Sequence, residues 1–360
     1  MMRSVKNILC FRADNFGDLL MSSPAIRAIK QTFDCKITVL TSSLGSKVVP
    51  LISEIDDCIL FNLPWVKINE TGNQQAVFNL IQTISSRNFD SCIIFNTFSQ
   101  NPLPAALIAW LSKIPIRIGY CRENPYDLIN KWLPDKEPYD EILHQVERDL
   151  KLAESMGTVV TDRAIQITIP EKSMMQVSKL LSSMPLYNND YLIVHIGVSE
   201  EKRKYPLNKW VKTCQQLIDH YDYPLVFTGD RKDSAEIKLV TDELKGKVYD
   251  FSGQLSLPET AALIQRSKLL IAVNTGVIHL AAAVQTPVIV LYAQTNPQHK
   301  PWMTKFKALE YTVKEDFVSK NEIIRWIRKK LYKEQKKYPS ADEICEAFVE
   351  LSEEPVKTLD

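Results

Sequence analysis

Between Leu269 and Ala293 the chain carries no formally charged residue. The run is long enough to cross a bilayer, yet it is cut twice. Asn274-Thr275-Gly276 and Gln285-Thr286-Pro287 divide it into Leu269–Val273, an alanine-rich helical piece and Val288–Tyr292. The outer pieces are rich in β-branched residues, as strands buried on both faces are, so the pattern predicts strand, helix and strand rather than a membrane span.

The same alternation extends over the whole chain. In the first half the strand candidates are Asn7–Phe11, Lys36–Leu40, Cys58–Phe61, Ser91–Phe95 and Ile116–Gly119, separated by helical patterns such as Pro24–Phe33 and Gln74–Ser86. In the second they are Tyr191–Ile196, Pro224–Thr228, Val248–Phe251, Leu269–Val273 and Val288–Tyr292. Strands that alternate with helices imply right-handed crossovers and a parallel sheet covered on both faces. Two such sets predict an α/β protein of two doubly wound, Rossmann-like domains. That suits 360 residues, because a single core seldom grows beyond roughly 250–300.

Pro170, Pro185 and Asn188-Asn189-Asp190 punctuate a helix-like stretch and set the expected boundary. We expect domains over residues 1–175 and 186–330 and a helical tail over 331–360. Ligands of open α/β sheets bind beyond the carboxyl ends of the strands, so the two domains are expected to face each other across a cleft. In the C-terminal segment from Arg325 to Lys337, Arg325, Arg328, Lys329, Lys330, Lys333, Lys336 and Lys337 stand against the single acid Glu334. With Ile323, Ile324, Ile327 and Leu331 at helical spacing, this reads as a basic amphipathic helix. It suits either an anionic membrane surface or plain solvation. Pro339-Ser340-Ala341-Asp342 caps a last, acidic helix.

A formal net charge of +1 gives no global reason to expect nucleic acid, so any preference for anions is local. The seven cysteines are widely spaced, with no C-x-x-C pair and no Cys/His cluster that would chelate zinc. They read as reduced core thiols. The apolar run Ile8–Phe11 stops at Arg12 and Asp14, too short for a signal-peptide core, so a cytoplasmic protein is expected.

Three strand ends carry candidate chemistry. The first strand enters Arg12-Ala13-Asp14-Asn15-Phe16-Gly17-Asp18, where Gly17 would supply a tight turn and Asp18 would stand at the end of a central strand, either as an active carboxylate or as a helix cap. Asp14 carries the same ambiguity. In the second half, His195-Ile196-Gly197-Val198-Ser199 leads into Lys202-Arg203-Lys204, three cations suited to a diphosphate, or else an exposed charged loop. Downstream, Thr228-Gly229-Asp230 and Glu236 suit a ribose, or a helix dipole. At Asn274-Thr275-Gly276-Val277 a strand turns into a helix whose first N–H groups favour phosphate, though a plain connection has the same pattern. His279 follows one turn later, as a proton carrier, a helper in the anion site or a core residue. Gln294-Thr295-Asn296-Pro297 and Lys300-Pro301-Trp302 form a polar loop with an aromatic suited to a base or sugar.

Together these pieces resemble glycosyltransferase family 9, the ADP-heptose:lipopolysaccharide heptosyltransferases. The family pattern R-x-D-x-x-G-D-x-x-x-x-x-P is met by Arg12, Asp14, Gly17, Asp18 and Pro24. Its K-x-[WY]-P is met by Arg203, Tyr205 and Pro206, with arginine in place of lysine. Its D-[ST]-G-x-x-H-L-A-x-A, followed by a proline-led strand and T-x-P, is met by Thr275, Gly276, His279, Leu280, Ala281, Ala283, Pro287, Thr295 and Pro297.

The resemblance implies a GT-B architecture with an inverting, metal-independent transfer that needs no cofactor beyond a nucleotide-sugar. It places the acceptor on the first domain, around Arg12, Asp14, Asn15 and Gly17, and makes Asp18 the base. It places the nucleotide-sugar on the second, with Arg203 and Lys202 or Lys204 on the departing diphosphate, Thr275 and Gly276 as the diphosphate turn, and Val277, His279, Gly229, Glu236 and Thr295 alongside. Asn274 stands where the family usually has Asp, which suggests an altered preference for the nucleotide-sugar. The expected activity is transfer of a heptose or related sugar, with ADP-heptose as donor, to a lipopolysaccharide-core or other surface-glycan acceptor. It would take place in the cytoplasm, with peripheral contact to an anionic membrane through Arg325 to Lys337 and no nucleic-acid partner. The alternatives are a nucleotide-sugar-binding protein without transferase activity and a nucleotide-sugar epimerase of the same build, which fold alone does not exclude.

Overall fold

The computed structural model describes residues 5–66, 73–184, 186 and 190–352. Pro185 and Asn188-Asn189, expected to mark the domain boundary, lie outside them. The chain forms two units, Met1–Thr168 and Ile169–Asp360. The break falls ahead of the expected 175 because the helix Glu171–Ser182 belongs wholly to the second unit, where it buries Val177 and Leu181 and packs on the helix Leu257–Gln265.

The first unit is a six-stranded parallel sheet of β1 (Asn7–Phe11), β2 (Lys36–Thr41), β3 (Asp57–Leu60), β4 (Ser91–Ile94), β5 (Ile116–Cys121) and β6 (Lys131–Pro134), in the order β3-β2-β1-β4-β5-β6. The second contains β7 (Leu192–His195), β8 (Leu225–Thr228), β9 (Val248–Asp250), β10 (Leu269–Val273), β11 (Val288–Ala293) and β12 (Phe306–Tyr311), in the order β12-β11-β10-β7-β8-β9. Each sheet winds outward in both directions from a central pair, β1 with β4 and β7 with β10. These pairs are the topological switch points at which such sheets bind ligands.

Burial follows the winding. Every residue of β10 and β11 is fully enclosed, so the uncharged run from Leu269 is a buried strand, the helix Val277–Ala283 and a second buried strand. No helix among the described residues is long and apolar enough to cross a membrane. The edge strands β6 and β12 were not expected. Both are partly exposed, and Lys131, Pro134, Lys307 and Glu310 break up the apolar pattern, as edge strands require.

Two expectations need correction. The first helix begins at Phe16 and runs unbroken to Phe33, so Pro24 lies inside it instead of starting it. Proline removes an N–H and normally leaves the carbonyl four residues earlier without a partner. Here the Ser23 hydroxyl donates to that carbonyl, Leu20 O, at 2.8 Å. Nor do the described residues of the expected 331–360 tail, 331–352, form a separate tail. The basic helix ends at Leu331, and Lys336 is extended beside the end of β12, donating to Thr312 Oγ1 at 2.8 Å while its carbonyl accepts from Thr312 N at 3.0 Å. The last helix, Ala341–Ser352, then buries Ile344, Cys345, Ala347 and Phe348 in the core of the second unit.

Candidate active site

In the first unit the site is built where β1 leaves the sheet. Asn15 is the N-cap of the helix Phe16–Phe33, and Asp18, its third residue, accepts a hydrogen bond from Asn15 N through Oδ2 at 3.1 Å. Gly17 is therefore a buried residue of the first helical turn, not the tight turn expected of it. The other Asp18 oxygen, Oδ1, lies 3.5 Å from Arg12 Nη2. The Asp18 side chain keeps 14% of its surface and that of Arg12 none, so an acceptor can meet the carboxylate but not the guanidinium. The expected acceptor-binding role of Arg12 is corrected accordingly, and its charge acts through its neighbours.

Those neighbours are acidic. Arg12 Nη1 is 3.7 Å from Asp14 Oδ2, and Asp149 acts on it electrostatically. Burial works against the Arg12 charge, but Asp14, Asp149 and Asp18 outweigh it and raise the pKa above the ordinary value. Asp14 is itself fixed: Gln100, beyond β4, donates from Nε2 to its Oδ1 at 2.7 Å, and the Ser42 hydroxyl donates to its carbonyl. The loops that follow β1 and β4 are thus tied together at the switch point. Gln100, Ser42 and Asp149 were not anticipated; for Asp149, the i, i+4 polar pair with Gln145 was the available signal.

In the second unit the corresponding place is the end of β10. Asn274 turns its amide onto β11. Its Nδ2 donates to Ala293 O at 3.2 Å and to Thr295 Oγ1 at 3.1 Å, while its Oδ1 accepts from Ala293 N at 3.1 Å. Asn274 and Thr295, both expected to bind the nucleotide-sugar, are therefore engaged with each other and with the main chain. Thr275, Gly276 and Val277 follow and open the helix Val277–Ala283. Gly276 is right-handed, with φ −54°, so its backbone alone does not demand glycine. His279 is enclosed in the same helix, its ring edge-on to His299 with centroids 6.3 Å apart.

The three expected cations divide. Lys204 Nζ lies 2.7 Å from Glu236 Oε1 and 3.0 Å from Glu201 Oε2, and the Glu236 hydrogen bond raises its pKa. Lys202 pairs with Glu200 at 3.0 Å. Arg203 alone reaches the β10 turn, its Nη1 donating to Asn274 O at 2.9 Å while Nη2 meets Glu200 at 2.7 Å. Its carbonyl is held by the Tyr311 hydroxyl at 2.6 Å. Two buried polar atoms at this end of β10 have no hydrogen-bond partner among the described residues, Arg203 Nε and Thr275 Oγ1.

Around β7 to β9 the explanation is packing. A Cβ on Gly197 would come within 2.3 Å of Asp233 Oδ2, and one on Gly229 within 2.9 Å of Ile237 Cδ1. The same Asp233 oxygen accepts from Asp230 N at 2.9 Å. At the end of β7, His195 Nδ1 lies 3.0 Å from Thr228 Oγ1, and burial pushes its pKa down to about 4. Among the described residues no group of three or more His, Cys, Asp or Glu is arranged to hold a metal ion, and all seven cysteines are free thiols.

Known proteins share this organisation. Lipooligosaccharide heptosyltransferase 2 of Haemophilus influenzae is 23% identical over 308 residues, covering 82% of this chain and 85% of its own. Among solved structures, a family 9 glycosyl transferase from Veillonella parvula superposes with a TM-score of 0.76 at 20% identity, covering 98% of each chain. E. coli ADP-heptose lps heptosyltransferase II superposes with a TM-score of 0.69 at 19% identity, over 96% of this chain and 98% of its own. Both structures share the fold of two parallel-sheet α/β domains seen in GT-B heptosyltransferases. Residues 77–323, spanning most of both units, match glycosyltransferase family 9 (heptosyltransferase), and the chain belongs to that family of glycosyltransferases.

Proposed function

We propose that the protein moves a heptose or closely related sugar from ADP-heptose to the core of lipopolysaccharide, or to another surface-glycan acceptor, with inversion at the anomeric carbon and without a metal ion. The observation that carries this reading is the pair of unpartnered buried groups, Thr275 Oγ1 and Arg203 Nε, at the end of β10. Buried donors left without an acceptor are rare, and a diphosphate oxygen supplies one to each. Arg203 then offsets the charge that develops on the departing diphosphate.

On the first unit, Asp18 is the group for the acceptor. Its partly exposed carboxylate takes the proton of the attacking hydroxyl as the new C–O bond forms and the bond to the diphosphate breaks, releasing ADP. Such a base contributes about 10²–10⁴ in rate. The names of the relatives, heptosyltransferases acting on lipopolysaccharide or lipooligosaccharide, support the choice of sugar and acceptor.

The test is transfer from ADP-heptose to heptose-deficient lipopolysaccharide, with the anomeric configuration of the product read by NMR. An Asp18→Ala variant that transfers as fast as wild type removes Asp18 from the role of base; a product of retained configuration removes the single displacement. A lipid-anchored acceptor also suits a protein at the inner face of the cytoplasmic membrane. The exposed Lys329, Lys330, Lys333 and Lys337 support contact of the Arg325 to Lys337 stretch with anionic headgroups. Co-sedimentation with phosphatidylglycerol vesicles but not phosphatidylcholine vesicles checks it.

A further inference from the structure

Behind the candidate base lies a second carboxylate, more deeply buried, that plays no part in the reading above. Asp149 belongs to the helix Gln145–Glu154, which packs on the helix that carries Asp18. It is 1% exposed. Its Oδ2 accepts from the Ser22 hydroxyl at 2.6 Å and its Oδ1 from Gln145 Nε2 at 2.8 Å. Ser22 is one turn beyond Asp18 and its Oγ lies 3.2 Å from the Asp18 carbonyl.

The surroundings form a closed circuit. Gln145 Nε2 and Arg148 Nε both donate to Asn96 O, at 3.3 and 2.9 Å. Asn96 Nδ2 donates to Gln100 O at 3.1 Å, Gln100 holds Asp14, and Asp14 meets Arg12. Arg12 closes the ring, acting electrostatically on both Asp149 and Asp18. The other cation, Arg148, is occupied by Asp135 at 2.9 Å and by Glu137, and lies 4.1 Å over the Tyr120 ring. The charged groups around the two carboxylates are thus Arg12 and Asp14 beyond β1, Arg148 on the helix of Asp149, and Asp135 and Glu137 held by Arg148.

A buried carboxylate is expensive, and replacing such a group by an apolar one is often harmless to stability. Packing alone therefore does not explain a charge here. We propose that Asp149 is a positioning residue for Asp18: it holds Ser22, and through it the turn that carries Asp18, from behind, and its charge offsets that of Arg12 beside the Asp18 carboxylate. Burial raises the Asp149 pKa, with Arg12, Ser22 and Gln145 opposing the rise. The inference rests on Asp18 being the base.

The experiment is steady-state transfer from ADP-heptose to heptose-deficient lipopolysaccharide by the full chain and its Asp149→Asn, Ser22→Ala and Asp18→Asn variants, with Tm measured for each. For Asp149→Asn we expect kcat to fall about tenfold with both KM values within about twofold. The acid limb of the kcat–pH profile moves down by about half a pH unit, because a negative charge that offsets Arg12 close to the site has been removed. Ser22→Ala lowers kcat less and leaves the limb in place. An Asp149→Asn enzyme whose kcat–pH profile superimposes on that of the wild type overturns the inference, whatever its Tm, while a dead Asp18→Asn keeps the base assignment intact. If Asp18→Asn retains full activity, both fall. Should Asp149→Asn fail to fold, Ser22→Ala decides: an unchanged kcat overturns the proposal and a lowered kcat at unchanged Tm supports it.

Discussion

The side chain of Asn274 and the main chain of Ala293 exchange two hydrogen bonds across the ends of β10 and β11, one in each direction, and only a group that both donates and accepts can make them. Asn274 is thus a latch between two strands. Replacement by aspartate keeps the bond from Ala293 N, loses the donor to Ala293 O and sets a charge against that carbonyl. Asn274→Asp should cost about 2 kcal/mol of stability. Urea denaturation of the two proteins measures it, and an unchanged midpoint counts against the latch.

Arg203 is the one cation of its cluster that touches the β10 turn, while Lys202 and Lys204 are held by Glu200, Glu201 and Glu236. Arg203→Ala should lower kcat/KM for the nucleotide-sugar by about 10²–10³. Lys202→Ala should change it by less than about fivefold, since exposed ion pairs contribute little. Equal losses in the two variants would show that the cluster acts as diffuse charge.

His195 gives the second unit a dependence on pH. Its pKa is about 4 in the folded protein against an ordinary 6.5, so the fold favours the neutral ring. The contribution is complete above 6.5 and is lost progressively as the pH falls toward 4. The stability difference between wild type and His195→Gln should therefore shrink or reverse between pH 7.5 and 4.5, as read from urea midpoints. A difference constant over that range would show that the ring is not kept neutral by the fold.

Ser23 and Pro24 form a compensating pair. Ser23→Ala leaves the Leu20 carbonyl buried without its donor and should destabilise by about 1–2 kcal/mol. In a Pro24→Ala background the restored N–H reaches the same carbonyl, and the same serine change should then cost little. A double-mutant cycle reads the coupling, and additive losses would disprove it.

Much of this was legible in the sequence because parallel sheets buried on both faces announce themselves as uncharged runs. The central strands β1 and β10 coincide with the expected segments residue for residue. The edge strands β6 and β12 were hidden by their charges, and the start of the first helix by a proline whose defect is repaired by its neighbour. At the site, single-residue chemistry was readable and partnership was not. Asp18, Arg203 and Thr275 stand out by type and position, but nothing in the local sequence says that Lys204 is neutralised by an acid thirty-two residues away or that Asp149 backs Arg12. Such contacts depend on which helices the winding brings together.

The continuity of the first helix bears on how the candidate base can move. Asp18 lies on the opening turn of an 18-residue rod that is packed against the helix Gln145–Glu154, and the proline within it is bridged rather than hinged. A carboxylate mounted on a loop could swing to meet its substrate; one mounted here shifts only with the whole rod. The candidate base is a fixed datum, and a hydroxyl that is to meet it has to be carried to it.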